Sequence, residues 1–427
     1  MAHAIQGRLR LPGDKSIAHR ALMIGAVAAG DSTIDHLPDG ADVTTTIAAL
    51  AALGVAFEQP TAGQIIVHGR AGFDWAIPAE PLAMNNSGTT TRLLLGLLAN
   101  PAGPLMLTGD QSLSQRPMDR ITDPLRLLGA QMATTAGHLP IRIQPTAGLQ
   151  GAAIHLTVAS AQVKSGILFA GLQAAGETTV TGPVHTRDHT ERLLAVAGAA
   201  ISRTGLTVHI QPLTRPLQPL HIDLASDFST AAFWIILATL LPQSQLMLPG
   251  LSLNPTRTTL LDILARMGGD FQVVDFARTQ TVEPQGTLAV HPAGLTGTTV
   301  TATESAQAID ELPLLALAAT QAAGTTTIHH INELRVKESD RAANTEAILR
   351  ACGAAITTSG DDWVITGPTA LHIPVHWPKL PPDHRMTMLQ VAAALVAGGT
   401  VPDHVAAAVA VSYPELLNDL RKLVRTV

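Results

Sequence analysis

A chain of 427 residues with a net charge of −6 is long for a single core, so two domains are the natural expectation. Hydrophobic residues at 46% against charged residues at 14% exclude a disordered chain, and the negative charge with 3% aromatics argues against a nucleic-acid partner. The one cysteine, Cys352 in "LRACGA", excludes an intramolecular disulfide and a cysteine-rich metal site, and its apolar setting reads as a buried helix end.

The first element in chain order, "LPGDKSIAHRALMIGAVAAG" at residues 11 to 30, resembles half of a phosphate-binding loop. A P-loop needs its Lys directly after the last Gly, but Asp14 separates Gly13 from Lys15, and Arg8 stands where the first Gly belongs. A carboxylate there would also repel a triphosphate. What remains is Lys15 and Ser16 at a helix N-terminus with Arg20 about one turn on, a place where free N–H donors and a partial positive charge can hold one anion. The plainer alternative is Asp14 as an N-cap beside two solvated cations. Ser16 and His19 do not form a nucleophile–base pair, since His19 faces elsewhere on the helix. The N-terminus carries no apolar leader, and "AAFWIILATLLP" is too short to span a bilayer, so a cytoplasmic protein without membrane partners is expected.

Six segments along the chain share one plan: a polar start, an Ala/Leu-rich helix, a Gly or Pro break, then a short β-branched strand. They begin near Lys15, Asn86, Ser160, Ser226, Asp310 and Asp383, about 74 residues apart on average, too long for a solenoid repeat. Between them run helices charged on one face and closed by Gly, such as "DRITDPLRLLGAQM" and "TRTTLLDILARMGGDF", each followed by alternating strands. The expectation is an α/β protein of two domains with three repeats each. Buried helices lie inside and sheets outside, and the polar helix starts converge on a cleft between the domains.

Basic residues cluster at the same helix starts and nearby loops: Arg92 in "NNSGTTTR", Arg116 in "SLSQRPMDR", Arg187 in "HTRDHTE", Lys337 and Arg341 in "LRVKESDR", and Arg385 in "PDHRM". Each alone reads as a solvated loop cation. Together they suit a substrate with several negative charges, because an Arg fork pairs with carboxylate and phosphate oxygens. Asp310, opening "DELPLLALAAT", and Glu338, flanked by Lys337 and Arg341, are the acid–base candidates, against an N-cap and a surface charge as plainer readings. No sequence pattern of a dedicated metal site occurs.

"LPGDKSIAHR", "NNSGTTTR", "SQRPMDR", "ASAQVKSG", "TRDHTE", "LRVKESDR" and "DHRM" resemble, in order and over essentially the whole chain, the signatures of the 5-enolpyruvylshikimate-3-phosphate synthases (3-phosphoshikimate 1-carboxyvinyltransferases). The resemblance implies two inverse α/β-barrel-like domains, here residues 1–13 with 226–427 and residues 14–225, crossing near Gly13 and Ala225. It implies transfer of the enolpyruvyl group of phosphoenolpyruvate to the 5-hydroxyl of shikimate-3-phosphate with release of phosphate, on the route to chorismate and the aromatic amino acids. Domain closure excludes water. No cofactor is implied, and a monomer is expected.

By that resemblance, Lys15, Ser16, Arg20, Ser160, Ala161, Gln162 and Arg187 hold the phosphorylated shikimate, with Asp310 and Lys337 at its ring. Lys15, Gly88, Arg116, Gln162, Arg341 and Arg385 hold phosphoenolpyruvate. Asp310 takes the proton of the attacking hydroxyl, and Glu338, helped by Lys15, protonates the methylene carbon. Two departures stand out: Ala161 replaces a second Ser in "SAQVKS", and Val411 stands where certain members carry a Lys, which leaves glyphosate sensitivity open. A UDP-N-acetylglucosamine enolpyruvyl transferase is the nearest alternative, but its loop Cys has no counterpart in "GDQSLSQRPMDR". A catalytically silent metabolite-binding homologue is the alternative from another class; Lys15, Asp310, Glu338 and the motif arginines are all present.

Overall fold

The computed structural model describes residues 3–276, 282–402 and 413–426. The chain divides into two compact units, residues 13–224 and residues 1–12 with 225–427.

In residues 13–224, helices α1 (Lys15–Val27), α3 (Gly88–Leu97) and α5 (Ala161–Gly171) alternate with α2 (Ala41–Ala52), α4 (Asp119–Leu127) and α6 (His189–Val196). The first set is largely buried: from Ile17 to Val27 all of α1 is buried, His19 and Arg20 included. α3 and α5 pack backbone to backbone, since a Cβ on Gly96 would lie 1.9 Å from the carbonyl oxygen of Gly166. Only glycine permits that approach.

Three four-stranded sheets cover these helices, and all follow one order. His221–Asp223, Asp31–Asp35, Ile65–His68 and Ala56–Glu58 make the first. Leu82–Ala83, Leu105–Thr108, His138–Gln144 and Gln131–Thr135 make the second. Ala153–His155, Thr178–Thr181, Thr207–Ile210 and Ile201–Thr204 make the third. In each the first pair is parallel and the other two pairs are antiparallel. A parallel pair needs a crossover, and α3 and α5 supply it in the second and third sheets. The first sheet borrows His221–Asp223 from the far end of the segment, which closes the three repeats into a ring. Alternating burial along His138–Gln144 marks sheets with one wet and one packed face.

The other unit repeats the plan with α7 (Phe228–Leu240), α8 (Thr259–Arg266), α9 (Ala302–Gln307), α10 (Leu312–Gln321), α11 (Arg341–Ala351), α12 (His384–Val396) and α13 (Leu416–Leu423). Its buried helices are α7, α10 and α12, which pack against one another. One sheet runs Asp270–Phe276, Gln285–His291, Gln245–Ser252, His3–Arg8, Val424–Thr426, and the other Thr299–Val300, Gly324–Ile328, Asp362–Gly367, Ala355–Ser359. The sixth segment departs from the plan. Residues 397–402 after α12 form no strand, and Val424–Thr426 joins His3–Arg8 antiparallel instead.

Apolar helices inside and sheets outside is the arrangement that the periodicity predicts. Cys352 is buried at the end of α11, and burial pushes its thiol up to about 11.

Candidate active site

In residues 13–224 the N-terminal turns of α1, α3 and α5 are tied together. Asp14 caps α1, accepting from the backbone N–H of Ser16 at 2.7 Å and of Ile17 at 3.1 Å. Lys15 and Ser16 open the helix half-buried, and Lys15 Nζ lies 3.1 Å from Asp42 Oδ2. Arg20 is 2% exposed. Its guanidinium donates to Thr190 Oγ1 at 2.7 Å, the Ser16 carbonyl at 2.8 Å, Ser165 Oγ at 2.9 Å and the Ala161 carbonyl at 3.5 Å. It therefore braces α1 against α5 and α6. Ala161 also accepts from Ser165 Oγ at 2.6 Å.

Ser160 caps α5, accepting from the N–H of Val163 at 3.3 Å. Gln162 Oε1 accepts from Arg92 Nη1 at 2.8 Å, and Gln162 Nε2 donates to Thr89 Oγ1 at 2.9 Å. Gly88 is the first residue of α3 behind its Ser87 cap. A Cβ there would lie 3.0 Å from Arg92 Nη1 and 3.2 Å from Arg116 Nη1, so both guanidiniums flank the helix start. Arg116, 7% exposed, is aimed by Asn86, whose Oδ1 accepts from Nη2 at 2.6 Å. Asn86 in turn donates to Asp110 at 2.7 Å. Arg187 sits half-buried in the loop that enters α6.

The second cluster, in residues 225–427, gathers Asp310, Lys337, Glu338, Arg341 and Arg385. Arg341 is buried and meets three carboxylates: Glu338 Oε2 at 2.6 Å, Asp383 Oδ2 at 2.9 Å and Asp310 Oδ1 at 3.5 Å. Burial alone would lower its pKa, but Glu338 and Asp383 outweigh that and raise it. Arg385 reaches the same Asp310, with Nη2 3.6 Å from Oδ2 and Nη1 donating to its carbonyl at 3.2 Å. Removal of Lys337 from water lowers its pKa, against the pull of Asp310 and Glu338. Asp310 does not cap the apolar helix: α10 starts at Leu312, Glu311 holds the cap position, and Asp310 lies in the preceding turn. Its carboxylate meets the guanidiniums of Arg341 and Arg385.

Sequence reasoning missed Asp383, 4% exposed, which fixes Arg341 and caps α12. Its signal was present, an Asp directly before an apolar helical run. His19, expected only to face away from Ser16 on the helix, makes a contact that the sequence did not show. It is fully buried, its Nδ1 2.6 Å from Thr46 Oγ1, and burial lowers its pKa to about 4. Val411 lies outside the described residues. Among those described, no three His, Cys, Asp or Glu side chains are placed to hold a metal ion, and no helix is long and apolar enough to cross a membrane.

Two units of one repeat plan, each with charged side chains gathered at helix starts and the loops beside them, define an α/β architecture. A family model described as EPSP synthase (3-phosphoshikimate 1-carboxyvinyltransferase) matches residues 1–420. A 3-phosphoshikimate 1-carboxyvinyltransferase from Lactiplantibacillus plantarum is 43% identical over 99% of this chain and 97% of its own length. A solved EPSP synthase from Acinetobacter baumannii superposes with a TM-score of 0.84 at 36% identity, over 100% of this chain and 98% of that one. The enolpyruvyl transferase NikO from Streptomyces tendae, at 21% identity and a TM-score of 0.76 over 99% and 97% of the two chains, shares the fold. The chain belongs to the EPSP synthase (3-phosphoshikimate 1-carboxyvinyltransferase) family.

Proposed function

We propose that this chain transfers the carboxyvinyl group of phosphoenolpyruvate to the 5-hydroxyl of shikimate-3-phosphate, with the residues above in the following roles. The observation that carries the reading is the shared guanidinium of Arg341, with Glu338 Oε2 at 2.6 Å and Asp310 Oδ1 at 3.5 Å. Two carboxylates fixed by one cation supply a proton acceptor and a proton donor at set positions.

Asp310 takes the proton of the 5-hydroxyl as that oxygen bonds to C2 of phosphoenolpyruvate. Glu338, with Lys15, delivers a proton to C3, and a tetrahedral adduct forms. Elimination then breaks the bond between C2 and the phosphate oxygen. Glu338 takes a proton back from the new methyl group, and the proton held by Asp310 leaves with inorganic phosphate. Charge building on the departing phosphate is met by cations already in place, which need no reorganisation. Arg116, Arg341 and Arg385 hold phosphoenolpyruvate, Gly88 lets its backbone approach closely, and Gln162 bridges to the second substrate. Ser16, Arg20, Ser160, Ala161, Gln162, Arg187 and Lys337 hold shikimate-3-phosphate, with Lys15 touching both substrates.

A monomer is the working unit of this reading, and the charged substrates suit a cytoplasmic enzyme. Mass detection of the product tests the reading: phosphoenolpyruvate and shikimate-3-phosphate should yield the enolpyruvyl ether, while UDP-N-acetylglucosamine in its place should yield none. The opposite acceptor preference would overturn it.

A further inference from the structure

One buried ion pair in residues 13–224 has no part in the chemistry above. Lys164, on α5, places Nζ 2.5 Å from Glu191 Oε1 on α6, with the two side chains 10% and 13% exposed. The same ammonium donates to the carbonyl of Thr186 at 3.4 Å, in the loop that carries Arg187. Either side of the pair lie contacts of the brace already described. Ser165 follows Lys164, Thr190 precedes Glu191, and their hydroxyls lie 2.6 Å apart with Arg20 on both.

A buried ammonium and carboxylate lose much of their solvation, and a well-packed apolar pair at such a place is as stable or more so. Holding α5 against α6 therefore does not explain the pair. What an apolar pair could not do is fix a carbonyl. Thr186 immediately precedes Arg187, so the ammonium sets the backbone from which the guanidinium projects.

We propose that Lys164 is a positioning residue for the shikimate-3-phosphate site, holding the 182–188 loop through Thr186 and Glu191 so that Arg187 is presented to the phosphorylated sugar. The inference rests on the assignment of Arg187 given above.

Calorimetric titration with shikimate-3-phosphate of the wild type, Lys164→Met, Lys164→Arg and Glu191→Gln tests it, alongside kcat at saturating substrates. The Met variant should bind about tenfold more weakly, the size of one lost charge-assisted hydrogen bond. Its kcat should stay within about twofold, since no transition-state contact is removed, and the Arg variant should recover most of the affinity. Unchanged affinity in a folded Lys164→Met, or equal affinities for the Met and Arg variants, overturns the proposal. If Lys164→Met does not fold, Glu191→Gln carries the same reading: weaker binding with kcat retained supports it, and unchanged binding overturns it. A wild type that neither binds shikimate-3-phosphate nor turns over removes the assignment of Arg187, and the inference with it.

Discussion

Arg341 grips Asp383 with two nitrogens, Nε 2.9 Å from Oδ2 and Nη2 3.2 Å from Oδ1. Asp383 also accepts from Ser339 Oγ at 2.9 Å and from the N–H of Arg385 at 3.0 Å. One buried carboxylate thus sets the 337–340 turn, the start of α12 and two of the assigned arginines. Burial works against its charged form, but the guanidinium prevails and holds its pKa below the ordinary carboxylate value. Its contribution is therefore present above that value and lost as pH falls through the lowered one. Asp383→Ala removes the acceptor that Arg341 holds with two nitrogens and leaves Glu338 and Asp310 beside the buried guanidinium, which should cost about 2–4 kcal/mol. Urea denaturation at neutral pH measures it; a loss below about 1 kcal/mol would contradict the role.

His19 carries a prediction with the opposite chemistry. Its pKa falls from 6.5 to about 4 on burial, despite the raising influence of Asp42. The unfolded chain therefore binds a proton where the folded chain does not. Stability from this group is intact above pH 6.5 and is lost as pH falls from 6.5 towards 4, by about 3 kcal/mol at the lower end. His19→Gln should flatten that part of the stability–pH curve relative to wild type. An unchanged slope would mean that the imidazole is protonated in the folded state.

Gly96 tests the helix packing apart from the chemistry. The Cβ of an alanine there would sit 1.9 Å from the carbonyl oxygen of Gly166, a backbone atom that cannot step aside, so α3 and α5 must separate. Gly96→Ala should destabilise by about 3 kcal/mol or more, with a matching fall in Tm. A variant as stable as wild type would show that these helices do not touch there.

At Gly88 the added methyl meets side-chain tips, Arg92 Nη1 at 3.0 Å and Arg116 Nη1 at 3.2 Å. Both can move by a few tenths of an ångström, so the fold should tolerate Gly88→Ala while the Arg116 guanidinium shifts. The expected result is a KM for phosphoenolpyruvate raised about three- to tenfold, with Tm unchanged within a few degrees. A KM unchanged in the folded variant would separate Gly88 from the phosphoenolpyruvate subsite.

Helix starts and the repeat were legible because they are local. Ser160 and Asp14 announce themselves as caps by side-chain type and by the apolar run that follows, and the 74-residue spacing is visible without a structure. Contacts across elements were not legible. The burial of Arg20 depends on Ser165 and Thr190, which stand far away in sequence, and a basic residue one turn into a helix looks the same whether it meets solvent or a brace. His19 shows the same limit, since Thr46 decides whether its ring faces out or in. The capping position of Glu311 rather than Asp310 follows from where Leu312 begins the helix, and two adjacent acids before a Pro do not settle that. The strand order also escaped the sequence, because His221–Asp223 pairs with a strand near the other end of its unit.

The central claim is that Asp310 and Glu338 move the protons of an addition–elimination on phosphoenolpyruvate. Inorganic phosphate release, with and without shikimate-3-phosphate, tests it most directly in the wild type, Asp310→Asn and Glu338→Gln. The account predicts release that requires the shikimate ester and falls by about 100-fold or more in each folded variant, the usual worth of one general acid or base. Release at the wild-type rate in either variant, or none from folded wild type that binds both ligands, would contradict it.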